Sequence, residues 1–412
     1  MTSPSSTASG QPTAVNSYSW KALCGSAVGY AMDGFDLLIL GFMLTAISAD
    51  LNLTPGQAGS LVTWTLIGAV FGGIVFGALS DRYGRIRVLT WTIVLFAVFT
   101  GLCAFATGYW DLLVYRTIAG IGLGGEFGIG MALAAEAWPA RHRARVSSYV
   151  ALGWQVGVLG AALLTPLLLP LIGWRGMFLV GVIPALVAWF IRHKIHEPEV
   201  FVRKPAAPKA SRFEAFRLLV KDKATAKVSL GVIVLTSVQN FGYYGIMIWM
   251  PSFLSKQLGF SLTKSSIWTA VTVVGMMVGI WVFGQLADRI GRKPSFLIFQ
   301  LGSVIMVVLY SQLSDPAAML WAGALMGLFV NGMMGGYGAV MSEAYPTEAR
   351  ATAQNVLFNI GRAVGGLGPV VIGALAMSYS FQVAIALLAA IYVLDMLATA
   401  FLIPELKGRE LS

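Results

Sequence analysis

Residues 77–85 read GALSDRYGR, and residues 284–292 read GQLADRIGR. The second stretch follows the first by 207 residues. Another pair of stretches repeats at the same offset, EAWPARHRA at 136–144 and EAYPTEARA at 343–351. Two independent motifs at one spacing indicate that the chain contains two copies of one unit. The halves are therefore expected to share one architecture and to run in the same direction.

The composition is that of a polytopic membrane protein. Of the 412 residues, 57% are hydrophobic and only 11% are charged, and the mean hydropathy is +0.76. Soluble domains carry about 25% charged residues. The 47 glycines suit helices that pack closely in lipid.

Twelve apolar runs are long enough to cross a bilayer. They predict an all-α membrane protein of twelve transmembrane helices in two pseudo-symmetric six-helix bundles, which would meet around a central site at the midplane. The runs are 22–46, 58–79, 88–107, 112–136, 146–170, 176–192, 228–254, 265–286, 294–313, 317–341, 352–377 and 381–403. The predicted divisions are a disordered tail at 1–20, an N-terminal bundle at 21–192, a linker at 193–227, a C-terminal bundle at 228–404 and a tail at 405–412.

The basic residues predict the orientation. Of 28 lysines and arginines, 23 fall in one alternating set of loops and tails, three fall on the other side and two lie inside runs. This asymmetry places the linker and both termini in the cytoplasm, with the chain spanning a cell inner membrane. The net charge of +10 is thereby explained without nucleic acid. The expected partners are the bilayer, protons and a small organic anion, and the expected state is a monomer.

Charged residues inside the runs are the sharpest functional signal. Asp33 and Asp36 share one helix face near the middle of run 22–46. An aspartate at that depth costs roughly 2.5–3.5 kcal/mol on insertion scales, so two are not expected for packing alone. Glu126 and Arg362 are predicted at similar depth, and Arg116 nearer the outer surface. The alternative for the aspartate pair is hydrogen bonding to the backbone or to a neighbouring helix.

These charges suggest proton coupling. All three histidines lie outside the runs, so a carried proton must bind a carboxylate. The acids Asp33, Asp36 and Glu126 outnumber the buried bases Arg116 and Arg362, and at least one acid is expected to bind a proton near neutral pH. We assign these three acids and Arg116 to proton coupling. Asp395, in the last run, is expected to be structural or to snorkel to the interface.

Arg362 is the predicted substrate clamp, because a guanidinium is always charged and binds a carboxylate through two parallel hydrogen bonds. The alternative is a salt bridge with Glu126 or with an aspartate of the first run. Other polar residues in the runs could complete a substrate site, or each could form an interhelical hydrogen bond. They are Gln155, Gln239, Asn240, Tyr243, Tyr244, Asn331, Asn355 and Asn359.

Cofactor and enzyme functions find no support. Cys24 and Cys103 form no metal-ligand motif, and the runs contain no nucleophile–histidine set. The match of residues 120–125 to a dinucleotide fingerprint follows no strand and lies inside an apolar run, so it is a false match. We expect no metal, no cofactor and no catalytic residue.

The pattern G-x-L-x-D-R-x-G-R at 77–85, repeated at 284–292, resembles the signature loop of the major facilitator superfamily. Arg116, followed by glycines at 120, 122, 124 and 125, resembles the fourth-helix motif of that superfamily. The resemblance covers nearly the whole chain after the tail and implies the two-bundle fold. It also implies that the signature loops latch the outward-facing state; the alternative is that their arginines only determine topology. The implied gating residues are Asp81, Arg82, Arg85, Asp288, Arg289 and Arg292.

Two groups within the superfamily are similar to this chain. Asp33-Gly34-Phe35-Asp36 resembles the aromatic-acid:proton symporters. The stretch from Gly124-Gly125-Glu126-Phe127-Gly128 through Glu136-Ala-Trp-Pro139 resembles the sialic-acid and lactate-type symporters. Both groups move organic anions with protons. The resemblance implies proton-coupled import of an organic monocarboxylate by alternating access. The alternatives are a sugar or other metabolite carrier, or a membrane sensor with the same fold.

Overall fold

The computed structural model describes residues 14–193, 214–259 and 262–408, and these residues are helical with short connections. Within these described ranges, ten helices are long and apolar enough to cross a membrane. The membrane segments follow the twelve predicted runs and are called spans 1–12. Spans 1–4 are Ser17–Leu51, Pro55–Tyr83, Arg85–Cys103, and Tyr109–Gly124 with Glu126–Glu136; spans 5 and 6 form Arg143–His193, divided at Gly173. Spans 7–12 are Lys223–Leu258, Leu262–Ile290, Arg292–Gln312, Pro316–Gly332 with Met334–Ala344, Arg350–Gly365 with Gly368–Ser378, and Phe381–Leu402.

Three spans are interrupted where the hydropathy predicts continuous helices. The helical hydrogen bonding of span 4 is interrupted at Gly125 and that of span 10 at Met333, nearly equivalent positions in the two halves, although both residues keep helical φ and ψ angles. Span 11 is broken just before Pro369, whose ring removes a backbone donor and clashes with the preceding turn. Broken helices near the middle of the membrane are a feature of transporter sites.

The turns at the two signature loops, 77–85 and 284–292, are tight. Gly84 alone separates span 2 from span 3, and Gly291 alone separates span 8 from span 9. Their φ angles are 108° and 111°, a region that L side chains rarely adopt. The glycine at this motif position is therefore required by the backbone.

The predicted divisions need small corrections. Span 1 begins at Ser17 behind the cap Asn16, so residues 17–20 are helical rather than part of a disordered tail. The predicted linker contains a short helix, Glu214–Leu218, and its last residues belong to span 7. Residues 1–13, 194–213 and 409–412 of the predicted tails and linker lie outside the described residues.

Both described ends of the chain lie at the end of the molecule that carries the signature loops. The Ser19 hydroxyl donates to the Ala137 carbonyl at 2.7 Å, which places the start of span 1 beside the end of span 4. The Glu405 carboxylate accepts from the backbone N–H groups of Arg292 and Lys293 at 2.9 and 3.0 Å. We call this end the latch end.

Candidate functional site

A cavity lies between the two halves. Seven of the residues predicted for the substrate site line it, namely Gln155, Gln239, Asn240, Tyr243, Tyr244, Asn331 and Arg362. Its volume is about 330 Å³, including the part that is open to solvent. Spans 1, 5, 7, 10 and 11 contribute the lining residues. These are Tyr30, Ala151, Trp154, Gln155, Gln239, Asn240, Tyr243, Tyr244, Asn331, Met334, Phe358 and Arg362.

Arg362 is the cationic group of this cavity. Its side chain is buried, and its Cζ lies 5.1 Å from the centre of the Trp154 ring and 6.0 Å from that of Phe358. Its Nε lies 3.3 Å from the Tyr244 hydroxyl, to which it donates. No carboxylate of residues 14–193, 214–259 or 262–408 forms a salt bridge with it. The guanidinium can therefore bind a carboxylate bidentately while the aromatic rings hold its plane.

Aromatic rings form the walls around this arginine. The centres of the Tyr30 and Trp154 rings are 5.3 Å apart, and Phe358 stacks on Phe127 at 3.9 Å. The Trp154 indole Nε1 donates to the Tyr243 hydroxyl at 3.3 Å. Sequence reasoning missed Tyr30, Trp154 and Phe358, because aromatic residues are common in membrane helices and carry no periodic signal for a cavity.

The amide side chains of the cavity keep unused hydrogen-bonding atoms. The Gln239 Nε2 donates to the Asn331 Oδ1 at 2.6 Å. Within the described part of the chain, the Gln239 Oε1, the Asn331 Nδ2 and the Gln155 Oε1 are buried without a hydrogen-bond partner. Asn240 differs, since its Nδ2 donates to the Thr236 carbonyl at 2.8 Å. A buried polar atom without a partner is costly, so three atoms remain for a ligand or water.

Asp36 and Arg116 form a buried ion pair. The two η nitrogens of Arg116 donate to the two carboxylate oxygens of Asp36 at 2.9 and 2.6 Å, and both side chains are fully buried. The Arg116 Nε is 3.3 Å from the Thr65 hydroxyl oxygen. The alternative that Asp36 pairs with Arg362 is therefore wrong. The pairing was not predicted, because the two residues lie on different spans and no local spacing links them.

The other two predicted proton carriers lie in different surroundings. Asp33 is buried and its charge acts on Arg362 and on Tyr30. Glu126, the first residue of the second segment of span 4, accepts from the Thr92 hydroxyl at 2.7 Å. Neither lines the cavity. The three acids therefore do not form one cluster.

Asn355 and Asn359 lie at the contact between the halves and not in the cavity wall. The Asn355 Oδ1 accepts from the Gly128 N–H at 3.2 Å, and its Nδ2 donates to the Ala351 carbonyl. The Asn359 Nδ2 donates to the Asn355 carbonyl at 2.8 Å. This Nδ2 also lies 3.4 Å from the Gly124 carbonyl of span 4. Neither asparagine is among the residues that line this cavity, and both form interhelical hydrogen bonds, as the alternative describes.

The signature aspartates form reciprocal contacts at the latch end. Asp81 accepts from the backbone N–H groups of Ala351 and Thr352 at 3.2 and 2.7 Å, and from the Thr352 hydroxyl at 2.6 Å. Asp288 accepts from the backbone N–H groups of Ala144 and Arg145, both at 3.2 Å. Each half thus provides an acid that caps the first turn of a helix in the other half, where free N–H groups favour an anion.

Arginine–glutamate pairs reinforce these contacts. Arg85 and Arg350, from opposite halves, both donate to the Glu136 Oε1, at 3.0 and 2.8 Å. In the other half, Arg292 donates to both oxygens of Glu343, at 3.0 and 2.7 Å. Sequence reasoning did not assign the glutamates a role. Their signal was the second repeated motif, which places Glu136 and Glu343 at equivalent positions.

The remaining predicted gating residues differ from these. Arg82 and Arg289 are exposed, in contrast to Asp81, Arg85, Asp288 and Arg292. The guanidinium of Arg82 lies over the Tyr83 ring, and the carbonyl of Arg289 accepts from Lys407. Only four of the six predicted residues therefore join the buried network. Arg143 also joins it, since its Nη1 lies 3.8 Å from the Glu343 Oε1. We call these four residues, together with Glu136, Arg143, Glu343 and Arg350, the latch.

Comparison with known proteins supports the fold. The proton:xylose symporter XylE, solved with 6-bromo-6-deoxy-D-glucose, superposes with a TM-score of 0.79 over 96% of this chain and 98% of that chain. The two sequences are 20% identical, so the likeness concerns the fold.

Sequence relatives are named for transport. A Haemophilus influenzae protein whose name assigns it to metabolite transport without stating a substrate is 79% identical over 96% of this chain and 99% of its own length. The cis,cis-muconate transport protein of Acinetobacter baylyi is 31% identical over 96% and 97%, and the Escherichia coli sialic acid transporter NanX is 30% identical over 89% of each. The sequence profile of the Major Facilitator Superfamily matches residues 26–288 and 234–411. The chain belongs to the Major Facilitator Superfamily and is a multi-pass membrane transporter.

Proposed function

We propose that this transporter imports a small organic monocarboxylate together with protons, by alternating access. One observation carries the proposal: the buried guanidinium of Arg362 faces a cavity between the halves and has no carboxylate partner within the described ranges. Asp33 acts on this guanidinium electrostatically without forming a salt bridge with it, so a substrate carboxylate could pair with the guanidinium directly.

The cavity favours a planar substrate with a carboxylate. Trp154, Phe358 and Tyr30 offer ring faces beside Arg362. The relatives that carry cis,cis-muconate or sialic acid in their names support an acid as the substrate class. A sugar carrier would not need a buried cation in the cavity, and a sensor would not need a latch.

Proton coupling is proposed from the N-terminal half. Asp36 and Arg116 neutralise each other in this conformation, and protonation of Asp36 would break that neutrality and change the packing of span 1 against span 4. Asp33 places a second acid near Arg362, and Glu126 a third on span 4. A proton bound at one of these acids would offset the charge that the substrate brings.

The closed latch supports an outward-facing conformation. The latch joins the halves at the end where the basic loops lie, and we propose that this end is cytoplasmic and that the membrane is the cell inner membrane. Each polypeptide contains both bundles and the whole cavity, so we expect a monomer to be sufficient.

A thermal-shift screen of the purified protein tests the substrate class. Benzoate, cis,cis-muconate, lactate and sialic acid are compared with xylose and choline at one ionic strength, in wild type and in Arg362→Lys. We expect stabilisation by an acid in wild type and a weaker effect in the variant, since lysine lacks the planar fork. Stabilisation by xylose or choline, and by none of the acids, would overturn the proposal.

Uptake into proteoliposomes tests the coupling. Accumulation of the acid that stabilises the protein is measured with and without an imposed pH gradient, in both orientations of the gradient. We expect accumulation only when the outside is acidic. Uptake that is indifferent to the gradient would contradict proton coupling without affecting the substrate assignment.

A further inference from the structure

Asp395 lies outside the cavity and has no role in the proposed function. Its side chain on span 12 is fully buried, so it does not snorkel to the membrane surface. Neither carboxylate oxygen has a hydrogen-bond partner within the described residues, and no basic side chain there forms a salt bridge with it. A bare carboxylate in such a place is very costly, and protonation is the usual response of an isolated buried acid.

Among the side chains that the structure describes, the surroundings of Asp395 form a polar cluster without a cation. Gln300 of span 9 lies beside the carboxyl group, and its Nε2 donates to the Thr399 hydroxyl at 2.7 Å. The phenols of Tyr337 and Tyr392 lie within electrostatic reach of the carboxyl. The Gln300 Oε1 and the Tyr392 hydroxyl are also buried without a hydrogen-bond partner in the described part of the chain.

One proton on Asp395 would give both the carboxyl group and the Gln300 Oε1 a hydrogen-bond partner. A protonated Asp395 is neutral, and its O–H can donate to the Gln300 Oε1. If the oxygen and nitrogen of the Gln300 amide exchange places, the amide donates one N–H to the Asp395 carboxyl. A single neutral donor does not neutralise a carboxylate charge. In both orientations the cluster requires a proton to be electrically neutral.

Other charged groups do not replace that proton. The elements packed against span 12 are spans 7 and 9 and the second segment of span 11. Lys293 of span 9 is bonded to the Ala400 carbonyl at 2.6 Å, at the latch end of span 12. Tyr310 lies on span 9, Tyr243 and Tyr244 of span 7 line the cavity, and residues 368–378 contain no titratable side chain.

The fold itself does not require this cluster. The N-terminal half builds the equivalent of span 12 from residues 174–193, which contain no aspartate or glutamate. At the 207-residue offset, Gln300 and Tyr337 correspond to Ile93 and Gly130. A buried ionisable group that its own pseudo-symmetric copy does without is a functional candidate, because placing it in the membrane is costly.

The cluster lies against the rear of span 7, which also carries part of the cavity wall. The Tyr337 hydroxyl donates to the Leu235 carbonyl at 3.2 Å, and the Tyr392 hydroxyl occupies the space beside Gly242 that a Cβ would take. Gln239 and Tyr243 lie on the same span and face the cavity. A movement of span 7 between conformations would therefore change the environment of Asp395.

We propose that Asp395 is a second proton-binding site of the transport cycle, separate from Asp36 and Arg116 and loaded when the latch is closed. The role in transport rests on the proposed proton coupling, whereas the bound proton does not.

Infrared spectroscopy of the purified protein without substrate tests the bound proton. At neutral pH we expect wild type to show C=O absorption of a protonated carboxylic acid that is missing from Asp395→Asn. Asp315→Asn is the matched control, because Asp315 is an exposed cap and asparagine caps equally well. Equal absorption in wild type and Asp395→Asn would overturn the proposal, as would loss of the wild-type band when sodium replaces potassium, since the site would then bind a metal cation.

A second variant covers the case in which Asp395→Asn does not fold. Gln300→Met keeps the acid and removes its amide neighbour, so the carboxylic acid band is expected to shift in frequency. An unshifted band would assign the absorption to another acid and contradict the proposal.

The ratio of protons to substrate tests the role in transport. Proton and substrate fluxes are measured together in proteoliposomes, and we expect a lower ratio for Asp395→Asn than for wild type and Asp315→Asn. An unchanged ratio together with a lost infrared band would reduce the site to a structural one and overturn its role in the cycle. Absence of proton flux in every variant, wild type included, would instead refute the proposed coupling.

Discussion

The two halves of the molecule have the same latch and different interiors. Asp81 and Asp288 are equivalent residues, and each caps a helix of the opposite half. In the interior, the equivalents of Asp33 and Asp36 are Asn240 and Tyr243. The equivalent of Arg362 is Gln155.

The difference indicates which positions the two-fold arrangement constrains. A latch contact needs both partners, so a change in one half must be matched in the other. A cavity that receives one anion needs only one clamp, and charge on both sides would leave an unpaired cation. The interior could therefore become asymmetric, with acids concentrated in the first half and Arg362 in the second.

The largest effect is expected from the ion pair that only the first half has. Asp36→Asn leaves Arg116 buried without a counter-ion, and breaking a buried pair in this way costs about 3–5 kcal/mol. We expect a clear drop in thermal stability and loss of gradient-driven accumulation. Tyr243→Phe, at the equivalent position of the second half, should change stability far less. Comparable unfolding temperatures for the two variants would contradict the asymmetry.

The clamp is tested by making the second half resemble the first. Arg362→Gln copies the residue at position 155, and the loss of charge-assisted hydrogen bonds is expected to weaken carboxylate binding by about 1.5–3 kcal/mol, or roughly ten- to hundred-fold. Arg362→Lys should lie between wild type and this variant. Calorimetric titration measures the affinity, with Arg82→Gln as the control, because Arg82 is an exposed arginine outside the cavity. Wild-type affinity in Arg362→Gln would contradict the assignment of Arg362 as the substrate clamp.

The two halves of the latch are expected to differ by a smaller amount. From the opposite half, Asp81 accepts three hydrogen bonds at 3.2, 2.7 and 2.6 Å. Asp288 accepts two from the opposite half, both at 3.2 Å, and lies 3.4 Å from the partly exposed Arg145. Asp81→Asn should therefore slow transport more than Asp288→Asn, with substrate affinity largely kept in both because the cavity is remote. Transport rates and binding titrations are compared. A larger effect of Asp288→Asn would contradict the expectation that the Asp81 contact is the stronger of the two.

The smallest effect is expected at the end of the molecule opposite the latch end. Asp50 accepts hydrogen bonds from Arg175 and Trp174, and the Arg175 guanidinium in particular lowers the pKa of Asp50 from its ordinary value of 3.8. At the equivalent positions the second half has Gln257 and Gln382. Asp50→Gln should cause a small loss of thermal stability.

The pH dependence of that small loss follows from the direction of the shift. A lowered folded-state pKa stabilises the protein above the ordinary value, and this contribution is lost as the pH falls through the folded value. The difference between wild type and Asp50→Gln should thus be full at neutral pH and vanish at strongly acidic pH. A difference that grows on acidification would contradict the pair.

Much of the architecture could be predicted from the sequence. Hydropathy locates the twelve segments, and the repeat of Asp81 at Asp288 defines the halves and their direction. The breaks at Gly125 and Met333 could not be predicted, because glycine and methionine are common inside continuous membrane helices.

The site could be predicted only in part. Residue type identified Arg362, Gln239 and Asn331 as candidates, since a polar group is costly in lipid. Residue type does not determine which neighbour a face meets, and Asn355 and Asn359 form hydrogen bonds to Gly128 and Gly124 of the other half. The pairing of Arg116 with Asp36 depends on the rotation and depth of two helices, which hydropathy does not determine.

The reciprocal caps at the latch have the geometry of an isologous interface. Asp81 contacts Thr352 while Asp288, its equivalent, contacts Arg145, the equivalent of Thr352. In an isologous interface each subunit presents the same patch to the other about a two-fold axis. A single six-span unit thus has both the donor and the acceptor of the contact. Two separate copies could therefore dock on each other without any additional contact residues. Cutting the chain between the bundles should leave two pieces that recognise each other, so the connecting segment raises their effective concentration and does not create their fit.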